Sequence, residues 1–338
     1  MESPRTRRRH RSRPSRRRPP AHTALVVLAI VGMTAGGTVY VKARAHSGSG
    51  HVSSAASPSA ASSAPAGEEE SVQPVTEPTV DRDALLSTAL AAVTVPSGAQ
   101  VSAAVLDLDS GERAVHGDAA FDTASIVKVD ILAALLLQAQ DAARRLTAAE
   151  RAYATKMIEN SDNDSASALW RSIGGADGLD AANERFGLTD TTGGDGPLWG
   201  LTRTTAADQL TLLQQVFGDD SELSETSREY LQGLMESVEA DQNWGVSAAA
   251  DGSGWALKNG WLARSTTGLW VVNSVGRVTV DGTGYLVAVL SQGTASQARG
   301  IELVEAAARA ALSAFTGQSA SASAGSSVAP VSSASPAG

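Results

Sequence analysis

Two residue types that can act together in catalysis, a serine and a lysine, lie three residues apart in the stretch FDTASIVKVDI, residues 121–131. At this spacing Ser125 and Lys128 would share one face of a helix. Arginine stays protonated in proteins, whereas a desolvated lysine can lose its proton and act as a base. The lysine is notable because the chain has 27 basic residues and only four of them are lysines. These four are Lys42, Lys128, Lys156 and Lys258.

The surroundings of the pair favour this chemistry. The predicted helix 125–139 is apolar nearly all round, so we expect it to be buried, and burial lowers the pKa of a lysine. Ser125 would lie at the start of that helix, near the positive end of its dipole, with Asp122 and Thr123 as possible caps. A neutral lysine beside a serine hydroxyl makes an activated nucleophile. The alternative is a lysine whose stem follows an apolar surface until the amine reaches solvent.

Two further polar motifs follow in the sequence. Ser161-Asp162-Asn163 lies in ENSDNDSAS between two predicted helices, and Lys258-Asn259-Gly260 lies in ALKNGW on a predicted strand. Each has a purely structural alternative, because S-D-N has the composition of a helix-capping turn and the lysine suits an exposed strand position. The order of all three motifs along one chain favours a shared site over three separate structural features.

Other common catalytic chemistries lack their residues in this sequence. The chain has no cysteine, and only His116 among its five histidines falls in the part predicted to fold, where we interpret it as structural. A zinc site and a Ser-His-Asp triad are therefore not expected, and no G-x-S-x-G elbow occurs. No G-x-x-x-x-G-K-[ST] motif is present, and no G-x-G-x-x-G follows a predicted strand. We expect an enzyme that uses no metal, no nucleotide and no other cofactor.

The elements that must position these motifs form an α+β pattern. Strands lie near the two ends of the folded part, and helices fill its middle. We expect a five-stranded antiparallel sheet with flanking helices, an all-helical lobe, and a cleft between the two. The predicted strands are 101–108, 112–116, 255–262, 269–280 and 285–292, and the predicted helical parts are 82–94, the middle region 123–238 with a helix at 204–217, and 296–315.

The N-terminal segment predicts export and a membrane anchor. The first 20 residues hold nine arginines and one glutamate. The uncharged run at residues 23–41 would span roughly 28 Å as a helix, close to the thickness of a bilayer core. Arginines before it and an acidic chain after it place the N-terminus in the cytoplasm and the rest outside. A cleaved signal peptide, with a weak site at residues 43–45, is the alternative, but the run is long for one and Lys42 crowds the site.

We therefore divide the chain into five parts. Residues 1–21 are a cytoplasmic arginine-rich segment, 22–41 the transmembrane anchor, 42–80 a disordered Ser/Ala/Pro linker, 81–316 the folded domain and 317–338 a disordered tail. Of the 36 acidic residues, 35 follow the basic head, which argues against nucleic acid as a partner. We expect a monomer whose partners are the cytoplasmic membrane and a small substrate.

The order of the three motifs, S-x-x-K, S-D-N and K-N-G, resembles the S-x-x-K, S-D-N, K-[ST]-G signature of class A β-lactamases and related penicillin-binding serine enzymes. The resemblance extends over residues 81–316 and implies a β-lactamase/transpeptidase-like fold. It also implies a serine hydrolase that forms an acyl-enzyme with a β-lactam antibiotic or with a D-Ala-D-Ala-like peptide of the cell wall.

The resemblance assigns roles to the first two motifs. Ser125 would be the acylated nucleophile, and Lys128 would be its base. Ser161 would relay a proton to the leaving nitrogen, and Asn163 would face Lys128 and the substrate amide.

The third motif would bind substrate. Lys258 would supply positive charge to the cleft and to the substrate carboxylate, next to Asn259 and Gly260. The backbone N–H of Trp261, the next residue, would complete an oxyanion hole with the N–H of Ser125.

Three departures from the family pattern bear on activity. The family's E-x-x-L-N loop carries a glutamate that activates the deacylating water, whereas residues 187–205 contain only Asp190 and Asp195 as acids, neither in that pattern. The threonine of K-T-G is replaced by Asn259, whose amide could donate to the substrate carboxylate instead. The segment between the first two motifs is also short, which reduces one cleft wall.

We expect acylation with slow deacylation, and the alternative is a non-catalytic envelope-binding or sensor domain on the same fold.

Overall fold

The computed structural model describes residues 80–252 and 254–324. In these residues seven strands form two antiparallel sheets: β1 (Gln100–Asp107), β2 (Arg113–His116), β3 (Phe121–Asp122), β4 (Arg203–Thr204), β5 (Trp255–Ala263), β6 (Trp270–Val280) and β7 (Thr283–Thr294). The larger sheet has five strands in the order β2-β1-β7-β6-β5, and the smaller one pairs β3 with β4. The predicted five-stranded antiparallel sheet is confirmed.

Two tight turns set the register of the large sheet. Between β1 and β2, the Asp107 carboxylate accepts bonds from the backbone N–H groups of Asp109 (2.8 Å) and Ser110 (3.2 Å). Between β6 and β7, Asp281 and Gly282 have φ values of 50° and 85°. Two successive positive φ values are the geometry of the tight hairpin turn that Asp-Gly favours. Both turns lie between strands that the sequence predicts, 101–108 and 112–116 for the first and 269–280 and 285–292 for the second.

Helices cover both faces of the sheet. Within the described residues they are α1 (Arg82–Ala91), α2 (Val127–Asp141), α3 (Ala148–Glu159), α4 (Asn163–Ile173), α5 (Gly175–Phe186), α6 (Ala206–Phe217), α7 (Glu225–Glu236) and α8 (Gln297–Ala324). The sheet is buried on both sides, so alternate residues of β7 enter different cores. Leu286 and Ala288 join the core that contains α2 and the helical lobe, whereas Val287 and Val289 join the core formed with α1 and α8.

Four helices of the lobe, α3, α4, α6 and α7, begin at capping residues that close their first turn. Thr147 and Glu150 form a reciprocal capping box at the start of α3. The side chains of Asp162, Thr205 and Ser224 accept backbone N–H bonds at the starts of α4, α6 and α7. Each such cap typically stabilises a helix by about 1 kcal/mol, so these starts are set locally by the sequence.

The central helix α2 is buried over twelve of its fifteen residues. Its predicted caps are wrong, because a 3₁₀ turn, Ala124–Ile126, precedes it and the Thr123 side chain makes no capping bond. Asp122 belongs to β3 instead. The strand β4 also interrupts the region predicted to be helical, and α8 continues to Ala324, past its predicted end at residue 315. A two-residue strand is too short to leave a periodic signal in the sequence.

The predicted cytoplasmic segment, anchor and linker lie outside the described residues, apart from Val80, and so does the tail beyond residue 324. In the part of the chain that the structure describes, none of the helices combines the length and the apolar character needed to cross a membrane. The membrane anchor at residues 22–41 therefore stays a prediction.

Candidate active site

Ser125 lies in the 3₁₀ turn Ala124–Ile126 that leads directly into α2. The residue before it, Ala124, has a φ of 49°, in the left-handed region that a non-glycine residue enters only at an energetic cost. The Asn273 amide holds this segment by donating to the carbonyl of Thr123 (3.0 Å) and to the carbonyl before it (2.9 Å). Strained backbone that its neighbours hold in place is a common feature of functional sites.

Two arginines fix the chain just before this turn. The buried Asp122 carboxylate pairs with Arg203 of β4 (3.2 Å) and with Arg264, which follows β5 (2.5 Å). The three residues join the small sheet to the strand that carries the third motif. Sequence reasoning missed this group, because three charged residues far apart along the chain have no spacing that marks them as partners.

The Lys128 amine lies at the centre of the site, with its side chain fully buried. Its Nζ is 2.8 Å from Ser125 Oγ and 2.8 Å from Asn163 Oδ1. It also lies 2.7 Å from the Ser161 carbonyl and 3.0 Å from Ser161 Oγ. The fold therefore brings the first two motifs into direct contact, and the alternative of a solvent-reaching lysine is wrong.

Burial lowers the pKa of Lys128 from its ordinary value of 10.5 to about 7, while the nearby Asp162 carboxylate partly opposes this shift. An amine with such a pKa is neutral in a substantial fraction of molecules near neutral pH. It can then accept the proton of the Ser125 hydroxyl that it contacts. The arrangement is that of an activated serine nucleophile.

Ser161 connects the two lysines of the site. It has a φ of 55°, and the next residue, Asp162, caps α4 by accepting the N–H of Ser165 (2.8 Å). The hydroxyl of Ser161 lies 3.0 Å from the Nζ of Lys128 and 3.0 Å from the Nζ of Lys258. The S-D-N motif is therefore both a helix cap and a part of the site. Asp162 caps α4, whereas Ser161 and Asn163 contact Lys128.

Lys258 is fully buried on β5, so it is not an exposed strand charge. Its amine donates to Ser161 Oγ and to the Asn259 carbonyl (2.9 Å). Burial lowers the pKa of Lys258, and the positive charge of Lys128 lowers it further. A hydroxyl held between two amines of lowered pKa is well placed to pass a proton from one side of the site to the other.

Gly260 is the point where β5 touches the 3₁₀ turn that carries Ser125. A Cβ atom at this position would lie 2.7 Å from Ser125 N, 2.8 Å from Ile126 N and 2.8 Å from the Thr123 carbonyl oxygen. All three are backbone atoms, which cannot move aside as the end of a flexible side chain can. The glycine of the third motif therefore allows the close approach of two backbones that assembles the site.

We expect Gly260→Ala to displace the 3₁₀ turn Ala124–Ile126 and to abolish covalent labelling of Ser125 by a penicillin. Overpacking of this kind typically costs about 1–3 kcal/mol, which urea unfolding would measure alongside covalent labelling by a penicillin. Gly233→Ala is the matched control, because no atom lies within 4 Å of the added Cβ in the exposed part of α7. Normal labelling of a folded Gly260→Ala protein would contradict this role of the contact.

Asn259 does not face the cleft, which contradicts its expected role in binding the substrate carboxylate. Its side chain is buried, and Nδ2 donates to the carbonyls of Gln242 (2.8 Å) and Trp244 (3.0 Å). These bonds occupy both N–H donors of the amide. Asn259 instead ties β5 to the segment after α7. Trp261 does line the cleft, and its ring packs against Trp244 with centroids 5.8 Å apart.

The cleft beside Ser125 has a volume of about 600 Å³. One wall comes from the end of β5 and the residues after it, and the opposite wall from α4 and the segment 197–201. The residues that line the cleft include Ser125, Asn163, Ser167, Trp199, Trp261 and Arg264. In the described chain, no group of three or more His, Cys, Asp or Glu side chains is placed to hold a metal ion.

Trp199 is a site residue that sequence reasoning missed. Its indole ring lies over the Lys128 amine, with Nζ 5.0 Å from the ring centroid, and its Nε1 donates to Ser167 Oγ (3.1 Å). An attraction between a cation and an aromatic ring is possible at this distance. No pattern in the loop at residues 187–205 distinguishes this tryptophan from an ordinary packing residue.

The two acids of this loop, Asp190 and Asp195, are exposed and do not line the cleft. The backbone N–H of Asp190 donates to the Asp208 carboxylate (2.8 Å), and the N–H of Gly193 donates to Asp180 (2.7 Å), so carboxylates outside the loop hold it in place. Among the described residues, no carboxylate hydrogen-bonds to the Ser125 hydroxyl or the Lys128 amine.

Acylation of Ser125 is expected to depend on pH through Lys128. The amine must be neutral to accept a proton, so the rate should fall as pH drops through about 7, the pKa of this lysine, and level off above about pH 8. The measurement is the second-order rate constant of penicillin labelling from about pH 5.5 to about pH 9, a range that includes that pKa. A rate that falls instead as pH rises through 7 would rule out a neutral Lys128 as the base.

The chain matches the model of a known family and is similar in fold to solved β-lactamases and to PBP-A. The model of the β-lactamase enzyme family matches residues 85–152 and 146–315. PBP-A, also solved as a variant in an acyl-enzyme complex with penicillin G, is 24% identical, with a TM-score of 0.60 over 69% of this chain and 96% of its own. None of the curated proteins compared with the chain matches it significantly.

Two further solved structures extend the comparison. A β-lactamase from Xanthomonas campestris is 21% identical, with a TM-score of 0.58 over 69% of this chain and 98% of its own. A class A β-lactamase from Bacteroides cellulosilyticus is 15% identical, with a TM-score of 0.60 over 71% of this chain and all of its own. Identities this low establish a shared fold only, whereas the family match covers most of the chain. The chain therefore belongs to the β-lactamase enzyme family.

Proposed function

We propose that this protein is a serine acyl-transfer enzyme whose Ser125 forms a covalent ester with a β-lactam or with a D-Ala-D-Ala-like wall peptide. Ser125 Oγ attacks the carbonyl carbon of the substrate amide while Lys128 takes its proton. The negative charge that develops on the carbonyl oxygen is stabilised by the backbone N–H groups of Ser125 and Trp261. The C–N bond then breaks, and Ser161 passes a proton to the leaving nitrogen.

The observation that carries this proposal is the contact between Lys128 Nζ and Ser125 Oγ at 2.8 Å, made by an amine whose pKa burial lowers to about 7. A charged lysine could hold a substrate anion but could not accept the hydroxyl proton. The buried Lys258 amine donates a hydrogen bond to Ser161 from the side opposite Lys128. An N–H donor here suits substrates that carry a carboxylate, as penicillins and wall peptides do.

The test is to trap the full-length protein with benzylpenicillin and to map the modified peptide by mass spectrometry. We expect one adduct, on Ser125, and none in a folded Ser125→Ala protein. The penicillin G acyl-enzyme of the PBP-A variant supports this choice of reagent. No adduct on the wild-type protein, or an adduct on another residue, would contradict the proposed function.

A second candidate is a sensor that binds a β-lactam or a wall peptide covalently without turning it over. The lack of a carboxylate bonded to Ser125 or Lys128 in the described residues favours it over a fast hydrolase. Steady-state hydrolysis of a chromogenic cephalosporin separates the two functions. Sustained turnover supports an enzyme, and a single burst without turnover supports a sensor.

The site is proposed to act outside the cytoplasm, held at the membrane by residues 22–41. In intact spheroplasts of a bacterial host, we expect an external protease to release the folded domain, because arginines before an apolar span keep the N-terminus inside. A cytoplasmic marker protein in the same cells is the control. If both the domain and the marker resist the protease, the proposed topology is wrong.

A further inference from the structure

The position of Trp199 bears on the fate of the acyl-enzyme. Its ring lies over the Lys128 amine, and the bond from Nε1 to Ser167 Oγ fixes the ring against α4. The loop that carries it is itself held, because Trp170 donates to the Gly196 carbonyl (2.8 Å) and Thr202 N–H donates to the Trp199 carbonyl (3.1 Å). The indole is therefore a rigid part of the cleft wall.

Hydrolysis of an ester on Ser125 needs water and a base at the same place. The water oxygen would form a bond to the ester carbon, the bond to Oγ would break, and one water proton would pass through the base to Oγ. In the described residues no carboxylate is bonded at this place, so the Lys128 amine is the base nearest to the ester.

The Lys128 side chain is fully buried, so its amine presents no surface to such a water. Four oxygen atoms lie within 3.0 Å of Nζ, and these belong to Ser125, Ser161 and Asn163. The Trp199 ring covers a further side of the amine. A water on that side would find an aromatic face, and the one N–H of the indole is already bonded to Ser167.

We propose that Trp199 is a positioning residue that excludes water from Lys128 and from the Ser125 ester, and so prolongs the life of the acyl-enzyme. This inference rests on the proposed function, because it concerns the second half of the same reaction. Slow deacylation would then have two causes, the Trp199 ring over Lys128 and the lack of a glutamate in residues 187–205.

The test compares the half-life of the benzylpenicilloyl adduct in three variants of the full-length protein by intact mass. Trp199→Ala opens the covered side and is expected to deacylate at least about tenfold faster than wild type. Trp199→Phe keeps an aromatic cover and should stay within about threefold of wild type. Trp255→Ala removes an indole from the core on the α1 and α8 side of the sheet and should leave the half-life unchanged.

A second readout is the pH profile of acylation. Opening the cover lets water solvate the Lys128 ammonium, so the midpoint of the profile should move upward in Trp199→Ala and stay in place in Trp255→Ala. The ionisable groups near this amine, Asp162 and Lys258, are kept in every variant. A purely structural role of the indole would lower the amount of folded protein without moving this midpoint.

The outcomes separate this inference from the proposed function. If wild type forms no Ser125 adduct, the proposed function fails. If the adduct forms but has the same half-life in wild type and Trp199→Ala, the inference alone is overturned. If Trp199→Ala does not fold, as judged by circular dichroism, Trp199→Leu replaces it, because leucine is apolar but covers less of the amine. A shorter adduct half-life in Trp199→Leu supports the inference, and an unchanged half-life overturns it.

Discussion

Replacing Lys128 with arginine is expected to abolish penicillin labelling of Ser125, although the positive charge is kept. Arginine remains protonated at every pH at which the protein is folded, so it cannot take the serine proton. Loss of a positioned general base typically costs about 10²–10⁴-fold in rate. The larger guanidinium must also fit into a space in which Lys128 is fully buried. The measurement is the labelling rate with a fluorescent penicillin, followed on a gel.

Lys156→Arg is the matched control for this change, because Lys156 is exposed on α3 and arginine keeps both its positive charge and the bond from Asp162 N–H to its backbone carbonyl (3.1 Å). The control should be labelled at the wild-type rate. Circular dichroism must show that both variants are folded. If folded Lys128→Arg is still labelled, Lys128 is not the base, and the proton must pass to another group.

The second large effect expected is a burst of acylation followed by a slow steady state. Each molecule should release about one equivalent of product from a chromogenic cephalosporin and then turn over about 10²–10⁴-fold more slowly, because no positioned base activates the deacylating water. Stopped-flow absorbance gives both phases. The burst amplitude should equal the concentration of active protein.

Asp195 is the acid that could replace the missing glutamate if its loop moved. The structure places it on the exposed side of the loop, and its side chain is shorter than that of a glutamate. Asp195→Asn should therefore leave both phases unchanged. A loss of steady-state turnover in Asp195→Asn would identify this aspartate as the base. Steady turnover as fast as the burst, kept in Asp195→Asn, would show that another base exists.

The sequence predicts those parts of the molecule that leave a local or periodic signal. Alternating apolar residues locate the strands, and Asp281-Gly282 locates one hairpin, because a tight turn demands residues that accept positive φ. The motif order predicts the family, which the family match confirms. The burial of Lys128 follows from the apolar character of the helix around it.

The parts that were missed depend on contacts between distant segments. The direction of the Asn259 amide is set by carbonyls near residues 242–244, which no pattern around β5 reveals. The position of Trp199 over Lys128 depends on how a whole loop is tied to α4. Asp122 looks like a helix cap from its sequence position, but two arginines from other strands bind it. Each of these facts is a property of the assembled fold.

The strand order has a consequence for how the molecule forms. The central pairing joins β1 to β7, and in it Gln100 meets Gln292, a partner 192 residues away. Contacts between such distant segments make folding slow, because a long loop must close before the pairing can stabilise it. A chain still being synthesised cannot complete the sheet until β7 has emerged. Truncation before β7 would leave β1 and β6 without the strand that pairs with both of them. The contacts around Ser125 should therefore form late in folding, in one step with the completed sheet.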